Sequence, residues 1–216
     1  MNIQQKEFIR FIKLLADNDC LEYVILIGSW AEFLYRELGI LQKFEPNIKT
    51  LDIDFLLKNL RRPIPEKNII PLAKAAGYLI ESDRLYGTTK IYDKNGLEIE
   101  FLINQLGAGS ESTLKTNLGV TAQALRHLHI LSANALSVVY LGFTISIPKP
   151  EAYAIHKMVI NLERGKKQEK DRLAVRNIWP YLDKESACAI YTTLTKKEKK
   201  TVDAFMTENN MTFSSF

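Results

Sequence analysis

Thr50-Leu51-Asp52-Ile53-Asp54-Phe55-Leu56-Leu57 is the stretch on which the fold turns. Polar and apolar residues alternate at its start, the period of a β-strand with one buried face. Asp52 and Asp54 then point to one side, and Leu51, Ile53 and Phe55 to the other, which must be core. Aspartate is a poor strand former, and two of them side by side repel each other. A cation between them answers both objections, and a hard divalent ion such as Mg2+ prefers oxygen ligands.

Outward from that strand, Leu97-Glu98-Ile99-Glu100-Phe101-Leu102 repeats the alternation, so Glu98 and Glu100 share a face. If the two strands are neighbours, one of these glutamates completes a three-carboxylate cluster. Such a cluster suits two metal ions, which activate a hydroxyl and stabilise the leaving oxygen in phosphoryl transfer. Upstream, Tyr23-Val24-Ile25-Leu26-Ile27 is a short, β-branched apolar run and reads as a buried strand. Gly28-Ser29 stops it, and residues 31–38 form a helix closed by Gly39. A glycine there lets the backbone approach a ligand, and a helix N-terminus offers free N–H groups to a phosphate. Taken singly, these features have ordinary readings as a solvated strand face, a turn with a cap, and a hairpin with a polar outer side. Their order along the chain points to a phosphate cradle beside a metal site.

The rest of the chain sets the frame. With 216 residues, 46% of them hydrophobic, it can bury a real core as one large domain or two small ones, and disorder is excluded. A net charge of +4 is too small to announce a nucleic-acid binder. Cys20 and Cys188 match no zinc or disulfide pattern. No apolar run reaches membrane-spanning length, and the start, Met1-Asn2-Ile3-Gln4-Gln5-Lys6-Glu7, lacks the order of a signal peptide, so a soluble, cytoplasmic protein with no membrane partner is expected. Phe8, Ile9, Phe11, Ile12, Leu14 and Leu15 predict a helix ended by Asp17-Asn18-Asp19. A loop at Pro63 and Pro65 precedes a short helix over 70–76, and strands over 85–92 and 97–103 flank a hairpin turn, Asp93-Lys94-Asn95-Gly96. Residues 107–119 read as loop and 138–147 as strand. After Pro148-Lys149-Pro150 only helical patterns follow: 151–162, a helix carrying Leu173, Val175, Ile178 and Trp179, and a charged helix or helix pair over 184–206 before a frayed tail from 209. The expected architecture is an α/β part, residues 1–147, and a helical part, residues 148–216.

Ile27-Gly28-Ser29, then residues 50–56, then Glu100 before Phe101-Leu102, resembles the nucleotidyltransferase fold of the DNA polymerase beta superfamily. The spacing is similar to stand-alone bacterial and archaeal nucleotidyltransferase-like proteins, some of them abortive-infection or toxin–antitoxin components. The resemblance implies an α/β (α+β) fold: a mixed sheet with flanking helices, a helical C-terminal domain, and an active cleft between the two. It implies that Gly28 and Ser29 take NTP phosphates, that Asp52 and Asp54 ligate Mg2+ or Mn2+, and that Glu100 rather than Glu98 is the third acid, because it directly precedes the apolar pair. Residues 148–157, ending in His156-Lys157, followed by Lys170-Asp171-Arg172, are similar to the helical segment of one subgroup. By that resemblance Lys157 contacts the triphosphate, and Lys170 and Asp171 line the nucleotide side. Trp30 departs from the pattern, which often has a small residue there, and its bulk would narrow the pocket or stack on a base.

The expected activity is metal-dependent transfer of a nucleoside monophosphate from an NTP to the hydroxyl of an RNA, a protein or a small molecule, releasing pyrophosphate. One of the three carboxylates, or the metal itself, would help remove the acceptor proton. The alternatives are a non-catalytic nucleotide-, RNA- or partner-binding module of the same fold, and a toxin acting on tRNA or protein and paired with an antitoxin. His127 and His129, with no Cys or acid at zinc spacing, read as surface or packing residues, Trp179 as core, and Gly107-Ala108-Gly109-Ser110 as loop. The Lys166-Lys167 pair and the lysines of 196–200 read as solvated surface, able to attract a triphosphate only where the fold brings them to the cleft.

Overall fold

Strand alternation and helix periodicity assemble around one sheet in the computed structural model, which describes residues 2–46, 51–83, 85, 87–105 and 113–213. Among these residues the elements are α1 (Ile3–Asp17), β1 (Val24–Ile27), α2 (Ser29–Glu37), β2 (Asp52–Leu57), α3 (Ile69–Ala75), β3 (Leu79–Ser82), β4 (Thr89–Tyr92), β5 (Glu98–Asn104), β6 (Thr113–Lys115), β7 (Thr121–Leu125), α4 (His129–Ala133), β8 (Ala135–Tyr140), β9 (Phe143–Pro148), α5 (Pro150–Ile160), α6 (Gln168–Ile178), α7 (Lys184–Thr193) and α8 (Lys196–Glu208). The main sheet is mixed and runs β1-β2-β5-β4-β3, with β7 pairing the second half of β5 and carrying β6. This is the α/β sheet with a helical C-terminal region that the sequence leads one to expect.

The two faces of the sheet differ in kind. Leu26, Ile53, Phe55, Ile99 and Phe101 are fully buried on one face. Phe55 stacks on Phe101 at 5.7 Å, and Phe11 of α1 approaches Phe55 at 5.8 Å. The heptad-like spacing of Phe8, Phe11, Ile12 and Leu15 is what lets α1 lie across that face. On the other face the acids of β2 and β5 are followed by Leu56 and Leu102, which join Ile25 and Ile27 under Leu128 and Leu131 in a smaller apolar cluster. In the helical part, Ala152, Ala154, Ile155 and Met158 of α5 have no exposed surface. They belong to one cluster of buried apolar side chains that runs from Phe8 to Met206.

Several local expectations need correction. Residues 138–147 are two strands, β8 and β9, joined at Leu141-Gly142, both with positive φ (50° and 83°). Such a turn usually advertises itself with Asn-Gly or Asp-Gly, and a leucine in its first position hides it. The sequence reading omits β3, β6 and β7: β3 and β6 are short and largely exposed, and β7 (Thr-Ala-Gln-Ala-Leu) buries only alanines, so none carries a strong apolar alternation. The tail does not fray at residue 209, because Phe213 packs on Trp179 at 5.7 Å and on Tyr191 at 5.1 Å. His127 and His129 both approach the buried Glu198 of α8, His127 Nδ1 at 2.6 Å, and so tie the segment before β8 to the helical part. Thr50 and Gly107-Ala108-Gly109-Ser110 lie outside the described residues. Cys20 is buried and Cys188 exposed, and both are free. Among the described residues no helix is long and apolar enough to cross a membrane.

Trp30 is also core. It has no exposed surface, stacks on Phe8 at 4.3 Å and meets Phe33 edge-on at 5.6 Å, so it faces α1 and neither narrows a pocket nor meets a base. Trp30→Ala is expected to cost roughly 3–5 kcal/mol of stability, read from the urea midpoint; a residue that served only to stack on a ligand would leave that midpoint unchanged.

Candidate active site

The strand pairings draw the site together. β1 is antiparallel to β2 and sets Ile27 opposite Asp54, so the next residue, Gly28, sits against that carboxylate. Its φ is +72°, and a Cβ there would stand 2.8 Å from Asp54 Oδ2. Both backbone and space therefore require glycine. α2 begins at Ser29 with Gly28 as its N-cap, so the positive end of the helix dipole lies beside the acids.

β2 and β5 are parallel, in the register Asp52 to Glu98 and Asp54 to Glu100. All four acids thus share one face, and Glu100 is the neighbour of Asp54. Burial, then the negative charges of Glu100 and Asp52, push the Asp54 carboxyl up to about 6, while Lys167 and Arg164 pull the other way. β4 sets Lys90 opposite Glu100, and its ammonium binds Glu98 and Glu100, the latter at 2.7 Å. Burial raises the Glu100 carboxyl, with Glu98 adding to the rise and Lys90 opposing it. Among the described residues no three Asp, Glu, His or Cys side chains converge as a metal site, and Glu100 is instead paired with Lys90.

A cleft of about 470 Å³ opens over Gly28, Ser29, Asp52 and Asp54. Its opposite wall comes from α5, α6 and the turn between them: Tyr153, Lys157, Arg164, Lys167, Lys170 and Asp171. Asp171 is buried and accepts hydrogen bonds from Lys157 Nζ at 2.6 Å and Arg164 Nε at 3.0 Å. One carboxylate therefore fixes two cations at the cleft wall. Glu32, on the first turns of α2, accepts a hydrogen bond from the Tyr153 hydroxyl, and burial pushes its carboxyl up to about 7.

Of the residues singled out from the sequence, Gly28, Ser29, Asp52, Asp54, Lys157, Lys170 and Asp171 line this one cleft. Glu100 stands one strand behind Asp54, drawn to Lys90. Lys167, left on the surface by the sequence reading, is brought to the cleft. Four residues that reading missed belong here: Lys90, Glu32, Tyr153 and Arg164. Helix periodicity could have found two of them, since Tyr153 is four residues before Lys157 and Glu32 three after Ser29. Pairing the Asp93-Lys94-Asn95-Gly96 hairpin outward gives Lys90 opposite Glu100.

A family model described as Nucleotidyltransferase matches residues 6–195. Comparison with curated proteins finds no match. Among solved structures, the chain is similar to an antigenic nucleotidyltransferase-like protein from Paracoccidioides brasiliensis, at 11% identity, over 92% of this chain and 86% of that one, with a TM-score of 0.54. Weaker likenesses are to the antibiotic-resistance factor ANT(2″)-Ia (14% identity, 97% and 95% covered, TM-score 0.47) and to the lincosamide antibiotic adenylyltransferase LnuA, lincomycin-bound (14%, 84% and 100%, TM-score 0.46). The first of these likenesses is one of fold; the family match runs from α1 to beyond α7, and by it the protein belongs to the nucleotidyltransferase family.

Proposed function

We propose that the chain transfers a nucleoside monophosphate from a nucleoside triphosphate to an acceptor hydroxyl, with pyrophosphate leaving. One observation carries the reading: Asp54 stands in register with Glu100 beside a helix N-terminus, across a cleft from Lys157, Arg164, Lys167 and Lys170. Membership of the nucleotidyltransferase family supports the reaction class.

Charge divides the roles. The lysines and the N-terminal end of α2 bind the triphosphate, and Asp171 keeps Lys157 and Arg164 in place against it. Burial raises the Glu32 carboxyl to about 7 and so favours its neutral form, which lowers the negative charge in the cleft. Asp52 and Asp54 would hold Mg2+ or Mn2+, with Glu100 joining as third acid once Lys90 releases it. The donor set fits, because carboxylate oxygens suit hard ions and the repulsion on Asp54 is what a divalent charge relieves. When bound, the ion supplies positive charge against the phosphates. The acceptor oxygen bonds to the α-phosphorus as the bond from that phosphorus to the bridging oxygen breaks. The hydroxyl proton passes to a carboxylate, and Asp54, which lines the cleft and is raised to about 6, is best placed to take it.

The double variant Asp52→Asn, Asp54→Asn is expected to lose transfer by about 10³-fold or more while its circular dichroism stays that of the parent. The assay is label appearing from each α-labelled NTP in total RNA and cell lysate, and unchanged labelling rejects the assignment. Asp54 also makes a stability prediction. A carboxyl raised in the folded state stabilises it below the ordinary carboxylate pKa and loses that contribution as pH rises through about 6. In EDTA, Asp54→Asn is therefore expected to gain roughly 2–3 kcal/mol on the parent between about pH 4 and pH 7.5. Urea midpoints across that range measure it, and Mg2+ should narrow the gap at the upper end.

A further inference from the structure

A second cavity, of about 330 Å³, adjoins the cleft. The two share Gly28, Asp54, Tyr153, Lys157 and Arg164. Beyond that common wall the lining changes character, with Leu102, Leu125, Leu128, Leu131 and Ile160 where the cleft has lysines. Strand alternation causes the change: Glu100 and Leu102 point the same way on β5, so one face runs from acid to alkyl within two residues. His156 also lines this cavity. It is 9% exposed, and its Nε2 is buried without a hydrogen-bond partner. Leaving such an atom unpaired is costly, and it marks the wall of this cavity as a place where stability has been given up. Burial, with neighbouring cations, lowers the His156 pKa to about 3, so the ring meets a ligand uncharged.

We propose that this second cavity is the acceptor site and takes a small alcohol with an apolar body, with His156 as part of its wall. The inference rests on the transferase reading above and names the acceptor class for it. The two cavities meet at Asp54, so a hydroxyl held in one and an α-phosphate held in the other face the same carboxylate. The hydroxyl oxygen then forms its bond to the α-phosphorus, its proton passes to a carboxylate, and pyrophosphate departs through the lysine-lined cleft. Small-molecule sites occupy about 300–1,000 Å³, and this cavity lies at the lower end, fit for one compact molecule. Its charges do not suit a polycation: among the described lining residues Arg126, Lys157 and Arg164 are set against Asp54 and Glu163 alone.

The test uses the whole chain with Mg2+, each α-labelled NTP, and a cell lysate divided by dialysis into small molecules and retained macromolecules. Label is expected in a new small compound, resolved from the NTP and its hydrolysis products, when the dialysable fraction supplies the acceptor. Label confined to RNA or protein overturns the acceptor assignment and leaves the transferase reading standing. NTP binding without label in either fraction overturns both. Leu125→Trp, which fills the cavity, is expected to raise the KM for the dialysable acceptor about tenfold, with the nucleotide dissociation constant held within about twofold. His156→Phe should likewise raise that KM with little change in kcat. Parental KM values in both variants would place the acceptor elsewhere.

Discussion

Like charges held close are the constraint around which this protein is built. Parallel pairing of β2 with β5 brings Asp54 beside Glu100, and that arrangement resists itself. Two unit charges about 5 Å apart in a medium of dielectric about 20 repel by roughly 3 kcal/mol. On the reverse of the same strands Phe55 stacks on Phe101, both without exposed surface to speak of. Each buried phenyl contributes roughly 1.5–3 kcal/mol, so the apolar side of the sheet can hold the acidic side together. Lys90, reaching across from β4, adds a local countercharge.

Much of this was legible because alternation is a local signal. Asp52-Ile53-Asp54-Phe55 and Glu98-Ile99-Glu100-Phe101 announce both strands and both faces, and Gly28-Ser29 marks the turn into α2. What alternation cannot give is the partner of each strand. The pairing of Glu100 with Asp54 follows from long-range register that the residues do not spell out singly, whereas that of Lys90 with Glu100 follows from the hairpin. β7 stayed hidden because alanines at its inward positions fit the space beneath them while carrying little strand preference. Trp30 misled for the opposite reason: a large aromatic beside a ligand turn suggests stacking, yet the helix turns it toward Phe8. The cavity beside His156 needed the fold as a whole, since its walls come from β5, β7, α4 and α5.

The helical region is more than a support for the sheet. A carboxylate in a cleft walled by lysines looks misplaced until its partners are seen: Asp171 is the buried anchor of Lys157 and Arg164. A lysine left to itself samples many rotamers, and fixing it in advance spares that entropy when an anion binds. The Tyr153–Glu32 hydrogen bond joins α5 to α2 in the same region, so the cationic wall and the helix N-terminus opposite it are fastened to each other.

Gly28 and an undisturbed Asp54 are mutually dependent, since any side chain at position 28 would intrude on Oδ2 of that aspartate. A lineage could therefore silence such a protein by one change in the turn while every acid survived intact. Sorting working relatives from retired ones by counting carboxylates would overlook that route, and the residue after the first strand is the more telling one to inspect.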